Sequence, residues 1–408
     1  MLRKIIVSSI IVASAGVSVW ADTPEIAPEY QAPDTVAALI AEAPAPELSD
    51  SLAALPFYRK GIIGKVYDYF DSSNDVHEEK DFDISFIGGP YYSSDTKFGL
   101  ALVAAGQYRQ DKEDKSIPMS DVSLTARATT SAFFELSLDG NHIFPRDRQR
   151  LTYSVSISYV RSHFWGIGYD MASNNDNDSK YKYVCSRANA TYFWRIGKRF
   201  YIGPQATFDY INGSDFEKPW LLEGESDRTF NVGLGFAAQF DTRDNLTAPT
   251  HGVSLRIDQR FNPRFLANKY AFSLTELTLS TYSPLWKGGV LAFQYHTRLT
   301  YGNTPWGLLS TFGGSHNMRG YFEGRYRDKM EMDATLELRQ HVWRRNGVVA
   351  WFGAGSVFPK FSALRARMVL PSWGVGYRWE FKKNMNVRVD VGFGRHEKSL
   401  NFSINEAF

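Results

Sequence analysis

The residues able to do chemistry in this chain are mostly charges set at every second position. Arg256, Asp258 and Arg260 alternate with Leu255, Ile257 and Phe261, and Glu337 and Arg339 alternate with Leu336 and Leu338. Arg378 and Glu380 alternate with Tyr377, Trp379 and Phe381, and Arg388 and Asp390 with Val387, Val389 and Val391. Gln294, His296 and Arg298 likewise oppose Phe293, Tyr295 and Leu299. Successive side chains of a strand point to opposite faces, so each set of charges shares one face. Their signs are mixed. That suits a lattice of salt bridges lining an interior, not the single-sign ring that selects ions. One charge stands apart from the strands. Arg319 lies in 303–332, a connection rich in Gly and charge. A connection of that length is unusual unless it packs somewhere. An arginine folded into a low-dielectric interior needs a carboxylate beside it.

No pattern for catalysis accompanies these charges. The chain has no G-x-S-x-G, Walker loop, H-E-x-x-H or CxxC. His296, His316 and His341 have no metal-ligand spacing in the sequence. No enzyme activity, cofactor or metal is therefore expected. Cys185 is the sole cysteine, which excludes an intramolecular disulfide. Basic residues number 46 against 44 acidic ones, a net charge of +2, so no nucleic acid is expected as a partner held by bulk charge.

The elements that must position the charges are strands. A mean hydropathy of −0.32 leaves no room for many apolar helices of membrane-spanning length. Aromatic residues make up 15% of the chain and Gly numbers 32, a composition that fits an all-β protein, membrane barrels included. Residues 1–21 read as a secretory signal: Arg3 and Lys4, an apolar stretch from Ile5 to Val19, and a cleavage site at Val19-Trp20-Ala21. Residues 22–56 form a Pro/Ala-rich linker, and within 57–80 the spacing of Ile62, Ile63, Val66, Tyr67 and Phe70 predicts a short amphipathic helix.

From Asp81 to Phe408 the period is two. Strands are expected near 81–92, 96–109, 119–129, 131–143, 149–160, 180–196, 200–212, 228–242, 251–262, 270–283, 290–302, 333–343, 347–358, 371–381, 385–395 and 399–408. Two alternatives stay open: the third and fourth could be one strand, and 163–170 could be another. Segments of about ten residues with aromatics at their ends and a polar opposite face match tilted membrane strands. A bare edge in lipid leaves backbone groups unsatisfied, so the set must close. The fold class is thus an all-β, closed transmembrane antiparallel barrel of about 16 strands with a short N-terminal helix, in a bacterial outer membrane. The strand 399–408 should close against 81–92, where Pro90 cannot donate to a ladder.

Three motifs resemble one family. Thr311–Lys329, TFGGSHNMRGYFEGRYRDK, is similar to the long sixth loop of the outer-membrane assembly-factor superfamily, the BamA/TamA-like surface-antigen barrels. Its Arg-Gly-aromatic motif is Arg319-Gly320-Tyr321 here. Phe240–Gly252 resembles that family's strand-and-turn, and Gly347–Phe358 a later strand. The resemblance implies that Glu337, on the polar face of 333–341, is the acidic partner of Arg319 in a loop-locking motif. The second acid it implies falls at Gly353, a departure. About 59 Pro/Ala-rich residues separate Ala21 from Asp81, too few for one of the family's POTRA domains and without their strand-helix pattern. Leu400, Phe402, Ile404 and Phe408 resemble the family's C-terminal signal. The resemblance implies protein or lipid assembly and translocation. Its partners would be outer-membrane lipids, unfolded outer-membrane proteins and periplasmic proteins. A passive pore or transport channel, and a structural barrel, stay open as alternatives.

Overall fold

A computed structural model describes residues 82–108, 110, 119–382 and 385–408. The signal, linker and helix expected over 1–80 lie outside the described residues. The chain runs β1 (Phe82–Ser93), β2 (Lys97–Tyr108), β3 (Ser120–Thr129), β4 (Phe134–Ile143), β5 (Gln149–Phe164) and β6 (Ser179–Arg195). It continues through β7 (Phe200–Ser214), β8 (Arg228–Asp241), β9 (Gly252–Asn262), β10 (Phe272–Trp286) and β11 (Gly289–Gly302). Two short strands, β12 (Ser310–Thr311) and β13 (Arg327–Asp328), pair with each other inside the following connection. The last five are β14 (Met330–Trp343), β15 (Asn346–Phe358), β16 (Leu370–Lys382), β17 (Met385–Phe393) and β18 (Lys398–Ile404).

All strands except β12 and β13 form one closed antiparallel barrel in sequence order, with β14 beside β11 and β18 beside β1. The alternation seen in the sequence becomes the two walls. Leu234, Phe236, Leu336, Phe352, Trp373, Val375 and Tyr377 lie exposed on the outside. Asp258, Glu337, Arg339, Arg378, Arg388 and Asp390 lie buried inside. In water the outer wall would be a large apolar patch; in hydrocarbon it needs no cover. The third and fourth expected strands are distinct and pair from Asp121↔Asn141 to Ala128↔Phe134. The segment 163–170 adds no strand: β5 ends at Phe164, and α1 (Tyr169–Ser173) follows.

One end of the barrel carries the long connections 165–178, 215–227, 303–329 and 359–369, and the other carries the short turns 144–148, 196–199, 287–288 and 344–345. The last strand is shorter than expected. It stops at Ile404, where Asn405 takes a left-handed φ of 67° and residues 405–408 leave the ladder.

Leu336 sits mid-strand on the outer wall, 46% exposed. Leu336→Arg should destabilise the barrel in lipid vesicles by about 2–4 kcal/mol, measured by denaturant titration.

Candidate functional site

The connection 303–329 folds back into the barrel instead of standing out from its mouth. Its two arms are joined by β12 and β13, and Phe312, Tyr321 and Tyr326 pack edge-to-face, with ring centroids 5.2–6.3 Å apart. Gly320 has a φ of 118°, in the left-handed half of backbone space. A Cβ there would stand 2.7 Å from the Phe393 carbonyl carbon, so only glycine lets the loop lie this close to β17. Tyr321 is fully buried beyond it; its hydroxyl donates to the Pro371 carbonyl at 2.6 Å and accepts from the Arg395 N–H at 2.7 Å.

This turn delivers Arg319 to the inner wall of β14–β17. Its guanidinium donates to Asp390 Oδ2 at 2.8 Å and to Glu337, and lies 3.7 Å over the Trp351 ring. Its carbonyl accepts from Ser372 Oγ at 2.5 Å. Arg319 is 1% exposed. The motif residues Arg319, Gly320 and Tyr321 and the acid Glu337 therefore meet at one place. The second acid does not come from Gly353. A Cβ there would lie 2.8 Å from Thr335 Oγ1 and 3.3 Å from Met318 Sδ, so the loop's own methionine fills that space. Asp390 of β17, three strands round the wall from Glu337, takes the place. The sequence marked Asp390 as an inward charge, but nothing in its spacing paired it with Arg319.

The charges continue into a closed ring of alternating sign. Arg339 Nε donates to Glu337 Oε1 at 2.7 Å and lies 3.9 Å from Glu406 Oε2. Arg378 donates to Glu406 Oε2 at 2.7 Å and to Asp390 Oδ1 at 2.6 Å, which returns the ring to Arg319. Arg388 joins at 3.6 Å from Asp390 and donates to the Ser315 carbonyl of the loop at 2.9 Å.

Glu406 reaches the ring because the chain turns inward at Asn405. Phe408 follows it: its carbonyl accepts from Arg339 Nη2 at 2.8 Å, and its ring lies 5.3 Å from that guanidinium. Ala407 O meets His316 Nδ1 of the loop at 3.0 Å, which places the proton on Nδ1. The expected terminal strand 399–408 is corrected accordingly. Phe402 pairs within β18, which Ile404 ends, while Phe408 stands off the strand against the lumenal arginines. The cause is Glu406, whose carboxylate is taken up by Arg378 and Asn386.

At the long-loop end the same loop touches both sides of the closure. Phe322 N–H donates to Glu397 Oε2 at 2.7 Å, in the turn between β17 and β18, and Arg325 pairs with that acid at 2.8 Å. Glu323 N–H donates to Asp95 Oδ2 at 3.3 Å, in the turn between β1 and β2. Burial, then the nearby charge of Glu323, raises the Asp95 carboxyl to about 7, despite the opposing backbone hydrogen bond.

The Omp85 superfamily domain matches residues 93–408, most of the chain. Solved structures similar to this one include BamA from Haemophilus ducreyi lacking POTRA domains 1–3, at 13% identity and a TM-score of 0.55, covering 80% of this chain and 70% of that one. CdiB from Escherichia coli is similar at 8% identity and a TM-score of 0.52, covering 82% and 69%. CdiB from Acinetobacter baumannii is similar at 13% identity and a TM-score of 0.50, and this chain spans 60% of its length. No curated protein sequence matches the chain. The chain belongs to the Omp85 superfamily and is an outer-membrane β-barrel.

Two outcomes follow from the geometry. Arg319→Ala takes a buried guanidinium partner from both Glu337 and Asp390, leaving each with its remaining arginines, and should cost about 3–5 kcal/mol. Adding Glu337→Gln should recover part of the loss in a double-mutant cycle read by denaturant unfolding. For Asp95 the folded-state pKa is raised, so between about pH 4 and 7 the folded protein holds a proton that the unfolded chain has released. Stability should therefore fall as pH rises through 7, and Asp95→Asn should flatten that slope in thermal melts taken across the range.

Proposed function

We propose that this Omp85-superfamily barrel helps polypeptides enter or cross the outer membrane by parting its wall between β1 and β18. The observation that carries the reading is the closure itself. β1 and β18 are register partners only at Tyr92↔Phe402 and Ser93↔Asn401, with Ser94 Oγ accepting from the Leu400 N–H at 2.8 Å just beyond. The neighbouring ladders are long. β1 pairs with β2 from Phe82↔Tyr108 to Ser93↔Lys97, and β17 with β18 from Val387↔Ile404 to Phe393↔Lys398. Among the described residues, the β1–β18 register comprises those two pairs, a far shorter ladder than its neighbours.

An unpaired strand edge in hydrocarbon costs several kcal/mol per backbone group, an order of magnitude that favours any strand able to dock there. An edge of this kind is the template for strand addition. The incoming chain would be an unfolded outer-membrane polypeptide, delivered from the periplasmic side and surrounded by outer-membrane lipid. The loop 303–329 serves in this reading as a clamp. It fills the lumen, which disfavours free passage along the barrel axis, and it holds Asp95 and Glu397 on the two sides of the seam.

The register places Ser93 opposite Asn401, so a disulfide there would lock the seam. In a Cys185→Ser background, Ser93→Cys with Asn401→Cys should abolish insertion of a second barrel protein into lipid vesicles when oxidised, and regain it on reduction. Crosslinking is verified by gel shift. Full activity of the locked protein overturns lateral opening. A large steady conductance in planar bilayers would instead identify a passive pore.

A further inference from the structure

His296, Glu331 and Asp333 converge on one point of the inner wall, away from the Arg319 ring. His296 faces Asp333 across the β11–β14 ladder, and Glu331 lies one inward position along, opposite Arg298. His296 Nδ1 is 3.1 Å from Asp333 Oδ2 and also 3.1 Å from Glu331 Oε2. One donor atom from each of the three lies within 4.8 Å of the others. Both acids are sealed from solvent: Glu331 is 1% exposed and Asp333 2%.

The single imidazole proton does not satisfy this arrangement. A ring nitrogen carries one hydrogen, and it is aligned on Asp333. Glu331 Oε2 and Asp333 Oδ1 are left buried with no hydrogen-bond donor. Direct cationic partners are scarce as well. Glu276 also approaches the imidazole, at 3.6 Å from Nε2, but Arg260 at 2.5 Å and Arg298 at 3.7 Å neutralise it. Among the described residues no Arg or Lys pairs with Glu331 or Asp333. Two carboxylates that face only one imidazole at close range, where water does not reach, are normally protonated, paired or coordinated to a metal.

We infer that His296, Glu331 and Asp333 form a binding site for a divalent first-row transition metal, with zinc as the reference ion. A neutral imidazole and two carboxylates neutralise a dication completely. Donors about 2.0–2.2 Å from a tetrahedral zinc stand roughly 3.3 Å apart, close to the spacing found here. Three protein donors leave one position open, and nitrogen-plus-oxygen donors suit zinc, iron or nickel better than the oxygen cages of calcium. The ligand spacing is invisible in the sequence because the donors come from two strands that only their register brings together.

The site sits at the root of the lumenal loop. β11 enters that loop and β14 leaves it, and Thr297 Oγ1 donates to the Glu331 carbonyl at 2.7 Å while Thr300 Oγ1 donates to the Lys329 carbonyl at 2.8 Å. A metal here would staple the two strands from which the loop hangs. This assignment is independent of seam opening.

The test uses the full-length barrel, folded in detergent, stripped with chelator and then titrated with zinc chloride alone. One tightly held zinc per barrel and a raised unfolding midpoint are expected. Cobalt should give the intense visible bands of low coordination. His296→Ala, Glu331→Gln and Asp333→Asn should each weaken zinc by at least about tenfold, since even an outer-shell partner of a metal ligand commonly costs that much. The near-isosteric Glu331→Gln keeps the test valid if His296→Ala fails to fold. It relieves a buried charge, so without metal it should be no less stable than the parent. Zinc bound equally by parent and Glu331→Gln, or an unfolding midpoint that zinc does not move, overturns the site.

Discussion

Arg319 is a full positive charge held out of water, and much of the lumen is arranged around that fact. Burying a guanidinium costs several kcal/mol unless carboxylates surround it with good geometry. Here two acids from strands on opposite sides of the loop share it, and each is shared again with a second arginine. The result is a ring in which removal of any member takes a partner from both of its neighbours. The ring draws on the loop, β14, β16, β17 and the residues after β18. Space for it is made by absent side chains. A Cβ on Gly376 would stand 2.1 Å from Asp390 Oδ1, and one on Gly392 would strike the Arg319 backbone at 2.8 Å. The glycines that weaken these strands as strands are what allow a loop and a charge network to occupy the barrel.

The closure answers to an opposite demand. A membrane barrel is stabilised by having no edge, yet β1 and β18 share little register. The reason lies partly in the ring. Glu406 is drawn into the lumen by Arg378, and the chain that would extend β18 along β1 turns away at Asn405. A charge partner for the interior is thus obtained at the expense of ladder at the seam. The closing strand is short because its continuation is committed elsewhere.

Much of this was legible in the sequence. Alternation located the strands because a barrel wall with lipid outside and charge inside forces a period of two, and Leu336–Glu337–Leu338 shows it residue by residue. Arg319 with Glu337 was legible because an arginine in a folded-back loop needs an acid, and among the inward-facing residues of 333–341 the family resemblance pointed to Glu337. Asp390 was read as inward but not as the second partner, since it lies on β17, three strands round the wall from Glu337 and far from Arg319 in the chain. The inward turn of 405–408 was hidden for the same reason: Arg378 and Asn386, which take up the Glu406 carboxylate, lie on other strands. His296 carried no metal spacing because its companions lie on the next strand of the barrel.

The attachments of the loop are unequal, and the inequality bears on how the seam could part. At the mouth the loop holds Asp95 through a single long hydrogen bond to a partly exposed carboxylate, an interaction of about 1 kcal/mol. In the lumen Arg319 is held by two buried carboxylates, and breaking that set costs several times more, about 3–5 kcal/mol. Thermal release should therefore begin at the mouth and leave Arg319 in place. β1 is tied to the loop by the weak contact, whereas β17 carries Asp390 and Arg388, which grip the loop deep in the lumen. When the mouth loosens, β1 is the strand free to move, and the loop stays with the other wall. Under the lateral-opening proposal, such a seam would part without emptying the lumen, so lateral opening and an axial pore would be separate events with separate energetic thresholds.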